Sequence, residues 1–406
     1  MRMACFDPQR ERRRGMRHRR VAFFTDSFHE VNGVALTSRE YVNFARRQGI
    51  PVFSVHAGPE TRVTREGSIT TFEFRRGPVR WNLEHDLAVD FMAWRHNAQL
   101  MAALREFGPE LIHITGPGDA GILGAVAAWR CKVPLAASWH TNVHEYAGRR
   151  LIRTLGFLHA PGRRKAGKAT EAATLEMTAK LYSYAKVIYA PNPELVQMLR
   201  EKTRRPVHGM SRGIDTVLFD PAKRARGDEA FVIGYVGRLS TEKNVRMLAA
   251  IEEKLRRAGV GDYRFLIIGE GAERNWLRST MKSAELPGVK RGEELARAFA
   301  SMDVFVFPSF TDTFGNVVVE AMASGVPPIV ASGGGPKFLF EHETEGLVAG
   351  DAEEFAAAIL TLYRDRGRLA GMRQAARRAA EKRSWDAVFT AVHEGYDDVW
   401  AGSAGS

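Results

Sequence analysis

The sequence is poor in the features that staple, span or export a chain. Its 406 residues include only two cysteines, Cys5 and Cys131. Two distant thiols give neither a disulfide framework nor the paired spacing of a zinc site, and they fit a reducing cytoplasm. No apolar run reaches the roughly 20 residues that cross a bilayer as a helix, so the chain is expected to be soluble or peripheral. The first 20 residues hold eight arginines and no apolar stretch, so a secretory signal is not expected. Residues 1–19 read instead as a basic disordered arm, either touching membrane or nucleic acid or merely solvated. The final A-G-S-A-G-S reads as a flexible tail. No D-x-D triplet occurs, so an essential metal is not indicated. The stretch G-R-R-K-A-G-K-A at 162–169 falls short of a P-loop, because no strand precedes it and Ala169 lacks the hydroxyl that would hold magnesium.

What is present is material for two cores. Hydrophobic residues make up 45% of the chain and aromatic residues 10%. Lys plus Arg minus Asp plus Glu, 59 − 47, leaves a net charge of +12, which favours anionic partners: nucleotide diphosphates, phospholipid headgroups or nucleic acid. Short apolar runs of strand type fall at residues 20–24, 52–55, 111–114, 135–139, 187–190, 231–236, 264–268, 304–307 and 328–331, with helical patterns between many of them. Such alternation predicts α/β architecture with parallel sheets.

Residues 304–325, V-F-V-F-P-S-F-T-D-T-F-G-N-V-V-V-E-A-M-A-S-G, form the organising stretch. A strand ends at Pro308 and a helix begins near Gly315, which puts the polar loop at a strand's carboxyl end, where open α/β sheets bind ligands. Asp312 falls in the loop and Glu320 in the helix, while Phe314 and Gly315 let backbone N–H groups at the helix start face an anion. This stretch resembles the acidic-x7-acidic motif of the retaining, nucleotide-sugar-dependent group 1 (family four) glycosyltransferases, whose fold, termed GT-B, has two Rossmann-like domains with a cleft between them. The T-D-T-F-G-N form is close to the branch that makes bacterial glycolipids and α-mannosides. Asp312 stands where the family usually has Glu.

The resemblance covers roughly residues 20–400 and implies a role for each matching residue. Asp312 and His140 would hold donor-sugar hydroxyls and Glu320 the nucleotide ribose. Arg238 and Lys243, in G-R-L-S-T-E-K-N-V after a strand, would neutralise the donor diphosphate, a role that stabilises charge on a leaving group. Gly33, in a βα loop where a Gly permits φ > 0 and leaves no Cβ in the way, matches the residue approaching the diphosphate. Phe314, Gly315 and Asn316 would line the nucleotide; where the chain departs from the family, either Val289 with Lys290 holds the base or nucleotide affinity is weakened. His144 and Glu145 are candidates for the acceptor side. The basic, partly apolar residues 149–168 suit an interfacial segment on anionic lipid. Relatives place a strand between the helix ending near Ala284 and the helix starting near Glu293, but E-L-P-G-V-K-R-G is not expected to form a full one.

R-G-I-D-T-V-L-F-D-P resembles the interdomain segment, giving an acceptor domain at 20–218 joined by a returning helix at 385–400, and a donor domain at 219–384. The charged run at 223–229 reads as an exposed linker. The expected activity is transfer of a mannose- or glucose-type hexose from a GDP- or UDP-sugar to a lipid or glycan acceptor, without a metal or other cofactor. The expected location is cytoplasmic, peripheral on the inner face of the plasma membrane; nucleic acid is not an expected partner on this reading. The alternative is a degenerate GT-B binding protein with weak or no transferase activity, associated with membrane or nucleic acid.

Overall fold

The computed structural model describes residues 19–30, 32–77, 80–84, 87–90, 92–140 and 160–401. The candidates His144 and Glu145 and most of the basic segment at 149–168 lie outside them, as does the arm up to residue 18. The chain divides into two compact units, residues 1–210 with 389–406, and residues 211–388.

In the first unit the strands are β1 (Val21–Phe24), β2 (Val52–Gly58), β3 (Arg62–Glu66), β4 (Ile69–Arg75), β5 (Arg80–Glu84), β6 (Leu87–Asp90), β7 (Leu111–Ile114), β8 (Leu135–Ser138), β9 (Val187–Ala190) and β10 (Val207–Gly209). Eight of them form one sheet in the order β10-β9-β8-β7-β1-β2-β4-β3, and β5 pairs with β6 in a separate hairpin. Only β3 runs antiparallel to its neighbour in the large sheet. The central strands β1, β7, β8 and β9 are buried at every position, as their unbroken apolar runs require when helices cover both faces. The helices are α1 (Gly33–Gln48), α2 (Asn97–Phe107), α3 (Asp119–Cys131), α4 (Ala160–Tyr182) and α5 (Pro193–Thr203). Helix α1 starts where Asn32 Oδ1 accepts the N–H of Ala35 at 2.9 Å, and it stops at Gly49.

The second unit has the strands β11 (Phe231–Val236), β12 (Tyr263–Ile268), β13 (Ala284–Gly288), β14 (Val304–Phe307), β15 (Pro328–Ala331) and β16 (Leu347–Ala349), in the order β13-β12-β11-β14-β15-β16, all parallel. Its helices are α6 (Arg246–Arg257), α7 (Arg274–Thr280), α8 (Gly292–Ala300), α9 (Asn316–Ala323), α10 (Ala352–Arg364), α11 (Arg366–Glu381) and the first residues of α12 (Trp385–Gly395). In both sheets the winding direction reverses once, between β1 and β7 and between β11 and β14. Those reversals are the switch points at which this topology opens a ligand crevice.

One sequence expectation is corrected here. A strand does form at 284–288: helix α7 ends at Thr280, and β13 pairs with β12 through a register shift between Glu285 and Gly288. Pro287 falls in that bulge on an edge strand, where no ladder N–H is required of it. The run at 223–229 is mostly exposed, as expected, but is tied down at two positions. Arg224 and Arg226 pair with Asp303 at 2.8 and 3.1 Å, and Asp303 also accepts the N–H of Val232 at 2.9 Å. The compact units meet in sequence at 210/211, within a few residues of the expected domain boundary at 218/219. Residues 211–218 are tied to the second unit: Ile214 N–H donates to Arg383 O at 2.9 Å, and a Cβ on Gly213 would lie 2.4 Å from Trp385 N. The division at the far end falls inside α12, whose later residues belong to the first unit, with Tyr189 Oη donating to Val392 O at 2.7 Å.

Candidate functional site

The second switch point is built from the loops that follow β11 and β14. After β11 the chain is pinned by buried Leu239, whose N–H donates to Glu270 O at 2.9 Å, and by Tyr235 Oη, which donates to Arg238 O at 3.0 Å. The loop after β12 crosses it so closely that a Cβ on Gly269 would sit 1.9 Å from Gly237 O, which is why a side chain is excluded at 269. A short 3-10 turn, Thr241–Lys243, then aims Lys243 toward the loop after β14. Lys243 Nζ lies 2.6 Å from Asp312 Oδ1. Arg238, on the exposed side of the same loop, lies 3.6 Å from Glu242.

The loop after β14 is held from the other side by the glycine turn that follows β15, with Gly335 N–H donating to Asp312 O at 2.7 Å. Gly315 caps α9 in the left-handed region, at φ 91°, a conformation that side-chain-bearing residues rarely adopt. The first N–H groups of α9 lack intrahelical partners and carry the positive end of its dipole. Around the switch point Ser240 Oγ, Ser309 Oγ and Asp312 Oδ2 are buried without a hydrogen bond among the described residues. Buried polar atoms are costly unless paired, so these valences suit a polyhydroxylated or anionic ligand.

Glu320 is half-buried on α9, and among the described residues nothing donates a hydrogen bond to its carboxylate. Burial pushes its pKa up to about 7. Arg212, which sequence reasoning quoted but gave no role, is buried beside the start of the same helix. It donates to Asn316 Oδ1 at 2.8 Å and stands 5.3 Å from the centre of the Phe314 ring. Burial lowers its pKa to about 10, against the pull of Asp312. The Asn316 side chain is thus engaged by Arg212, and Phe314 is packed into the core at 2% exposure. Val289, just past the end of β13, is exposed. No spacing rule would have flagged Arg212, which lies 104 residues from its partner.

The two remaining candidates belong to the first unit. His140 follows β8 and is buried, with Nε2 2.8 Å from Ser138 Oγ, which in turn lies 3.0 Å from His113 Nε2. Gly33 is the first residue of α1, preceded by its cap Asn32, and is not among the positive-φ glycines. The absence of a Cβ, not a left-handed turn, is what it offers. At this unit's own switch point, Asp26 Oδ2 accepts the N–H of Gly118 at 2.9 Å and Oδ1 that of Gly121 at 3.1 Å. Burial and the neighbouring Asp119 raise the pKa of Asp26 to about 6, against these N–H bonds and Arg76.

Comparison with known proteins fits this geometry. Residues 31–218 match the family model described as Glycosyltransferase Family 4, and residues 230–365 the one described as Glycosyl transferases group 1. A GDP-mannose-dependent alpha-mannosyltransferase of Mycolicibacterium smegmatis is 33% identical over 398 residues, 94% of this chain and 97% of that protein. The chain belongs to the group 1, family 4 glycosyltransferases. A Mycobacterium tuberculosis protein of the same name is 33% identical over 311 residues, covering 74% of this glycosyltransferase and 76% of the relative. Among solved structures, sucrose-phosphate synthase from Thermosynechococcus elongatus superposes with a TM-score of 0.70 at 18% identity, covering 95% of this chain and all of that one. That likeness identifies the fold as GT-B, and family membership makes the protein a sugar-transferring enzyme.

Proposed function

We propose that this glycosyltransferase is a retaining hexosyltransferase that moves mannose from GDP-mannose to a lipid or glycan acceptor. The observation that carries the reading is the Lys243–Asp312 ion pair at 2.6 Å, spanning the β11/β14 switch point beside the Gly315 cap of α9. A nucleotide-sugar would divide that pair. Lys243, with Arg238 and the α9 N–H groups, would face the diphosphate, and Asp312 would be released to the sugar hydroxyls. Glu320, with no competing partner among the described residues, would take the ribose hydroxyls, and Val289 would lie against the base. Loss of the diphosphate would pass through an oxocarbenium-like state, stabilised by the departing anion while the acceptor attacks from the same face. No side chain is assigned as nucleophile, and no metal is required for the charge balance.

The donor assignment rests on the mannosyltransferase relatives, whose names state GDP-mannose dependence. A lipid acceptor and a peripheral location on the cytoplasmic membrane face are supported by the net charge of +12; no helix among the described residues is long and apolar enough to cross a membrane. The degenerate-scaffold alternative rests on the shortened segment Leu286–Arg291, of which β13 takes up the residues as far as Gly288.

The test is a thermal-shift and turnover panel with GDP, UDP, ADP and their common sugar conjugates, with Glu320→Ala as control. Selective stabilisation by GDP together with release of GDP from GDP-mannose is expected, both lost in the variant. Selective response to UDP would transfer the reading to a UDP-sugar; no response to any nucleotide would sink it.

A further inference from the structure

The first unit carries a side-chain cluster to which the proposed function gives no role. His56 on β2 and Glu73 on β4 are directly paired across two parallel strands, so their side chains stand on the same face of the sheet. His29 reaches them from the loop after β1. One ligand atom from each of the three lies within 4.8 Å of those of the others. His29 Nε2 and Glu73 Oε1 are 3.1 Å apart, close to the roughly 3.3 Å that separates two ligands on a tetrahedral zinc at bond lengths of about 2.0 Å.

Ordinary ion pairing accounts for Glu73 but leaves His56 unexplained. Arg62 Nε holds Glu73 Oε2 at 2.6 Å, which turns Oε1 toward the histidines. His56 is 2% exposed, and Phe28 lies flat on its ring at 3.9 Å and 2°. Its Nδ1 is 3.2 Å from Ala57 O, so Nδ1 carries the proton and donates it there. Nε2 is then a bare lone pair that takes no hydrogen bond among the described residues. A second-sphere carbonyl on one ring nitrogen, fixing the tautomer so that the other faces a metal, is the usual dress of a ligating histidine. Burial drops the pKa of His56 to about 4, which keeps the ring neutral. Burial would raise Glu73, but its bonds to Arg62 and His29 win and hold the carboxyl below its ordinary value.

We propose that His29, His56 and Glu73 form a binding site for a divalent transition metal of the zinc class, with a fourth position left to water. Two imidazoles and one carboxylate select zinc, cobalt or copper over magnesium and calcium. The closing movement falls to His29, whose side chain is 53% exposed and is the member free to turn. No metal is invoked for the diphosphate chemistry of the second unit.

The experiment is titration of chelator-treated full-length protein with Co2+, reading the visible d–d absorption of four-coordinate cobalt, followed by Zn2+ displacement. One equivalent of intense absorption is expected, bleached by Zn2+ and indifferent to excess Mg2+. His29→Ala, a surface change that leaves the core intact, should weaken Co2+ binding at least about tenfold, and Glu73→Gln likewise. Zn2+ should raise the melting temperature of the native chain but not of His29→Ala. Only weak octahedral absorption, or an unchanged cobalt spectrum in His29→Ala, would overturn the proposal. So would loss of the band on removing residues 1–19 while His29→Ala retains it.

Discussion

At the switch point of the first unit, Asp26 turns both carboxylate oxygens onto backbone N–H groups of Gly118 and Gly121, while Asp119 is taken by Arg76 at 2.8 Å. At the switch point of the second, Asp312 gives one oxygen to Lys243 and keeps the other unpaired, and Glu320 has no donor among the described residues. The same topology offers two crevices, and the chain commits the acids of one to its own backbone and to Arg76. Hydrogen-bonding capacity left unspent beside a helix start is what the proposed function builds on at the second; a carboxylate at a sheet edge is not sufficient by itself.

That contrast can be broken by substitution. The largest effect is expected from Lys243→Ala, which should lower turnover about 10²–10³-fold by removing a cation from the leaving group. Because its ion pair is partly exposed, stability should fall by only about 1 kcal/mol; a loss of fold equal to the loss of rate would make the pair structural. Asp26→Asn should do the reverse. One oxygen becomes an NH2 that points a donor at a glycine N–H, so stability should drop by about 2 kcal/mol in urea unfolding.

Glu320→Gln sharpens the comparison, since no backbone group relies on its oxygens. The folded Glu320 carboxyl is raised from 4.5 to about 7. Between those values the folded chain retains a proton that the unfolded chain has lost, so the stability this group contributes below pH 4.5 declines as pH rises to about 7. Urea midpoints across that window should show this decline in the native chain and a flatter profile in Glu320→Gln; matching profiles would contradict the assignment. The smallest effect belongs to Gly315→Ala. A Cβ at φ 91° and 3.1 Å from Pro336 Cγ should cost about 1 kcal/mol and weaken nucleotide binding by shifting the α9 N–H groups. An unchanged nucleotide Kd would mean that the helix start does not touch the phosphates.

Much of the second unit was legible because its chemistry is local. Strands β11, β14 and β15 are unbroken apolar runs, and Arg238, Lys243, Asp312 and Glu320 each fall at a fixed offset from one of them. The legibility failed where pairing overrode composition. Proline argued against β13, but an edge position with a bulge removes the objection. The charges at 224 and 226 looked solvated until Asp303, far along the chain, collected them.

The order of the long apolar strands and the helices between them, the two acids eight positions apart and the basic pair after β11 were determined by sequence alone, because periodicity and loop position depend on near neighbours. Only tertiary structure decided which groups meet. Lys243 and Asp312 are 69 residues apart, Arg212 and Asn316 are 104 apart, and His56 faces Glu73 only because β2 pairs with β4 in that register. Such meetings depend on how the sheet is wound, and no local pattern in the chain encodes that distance.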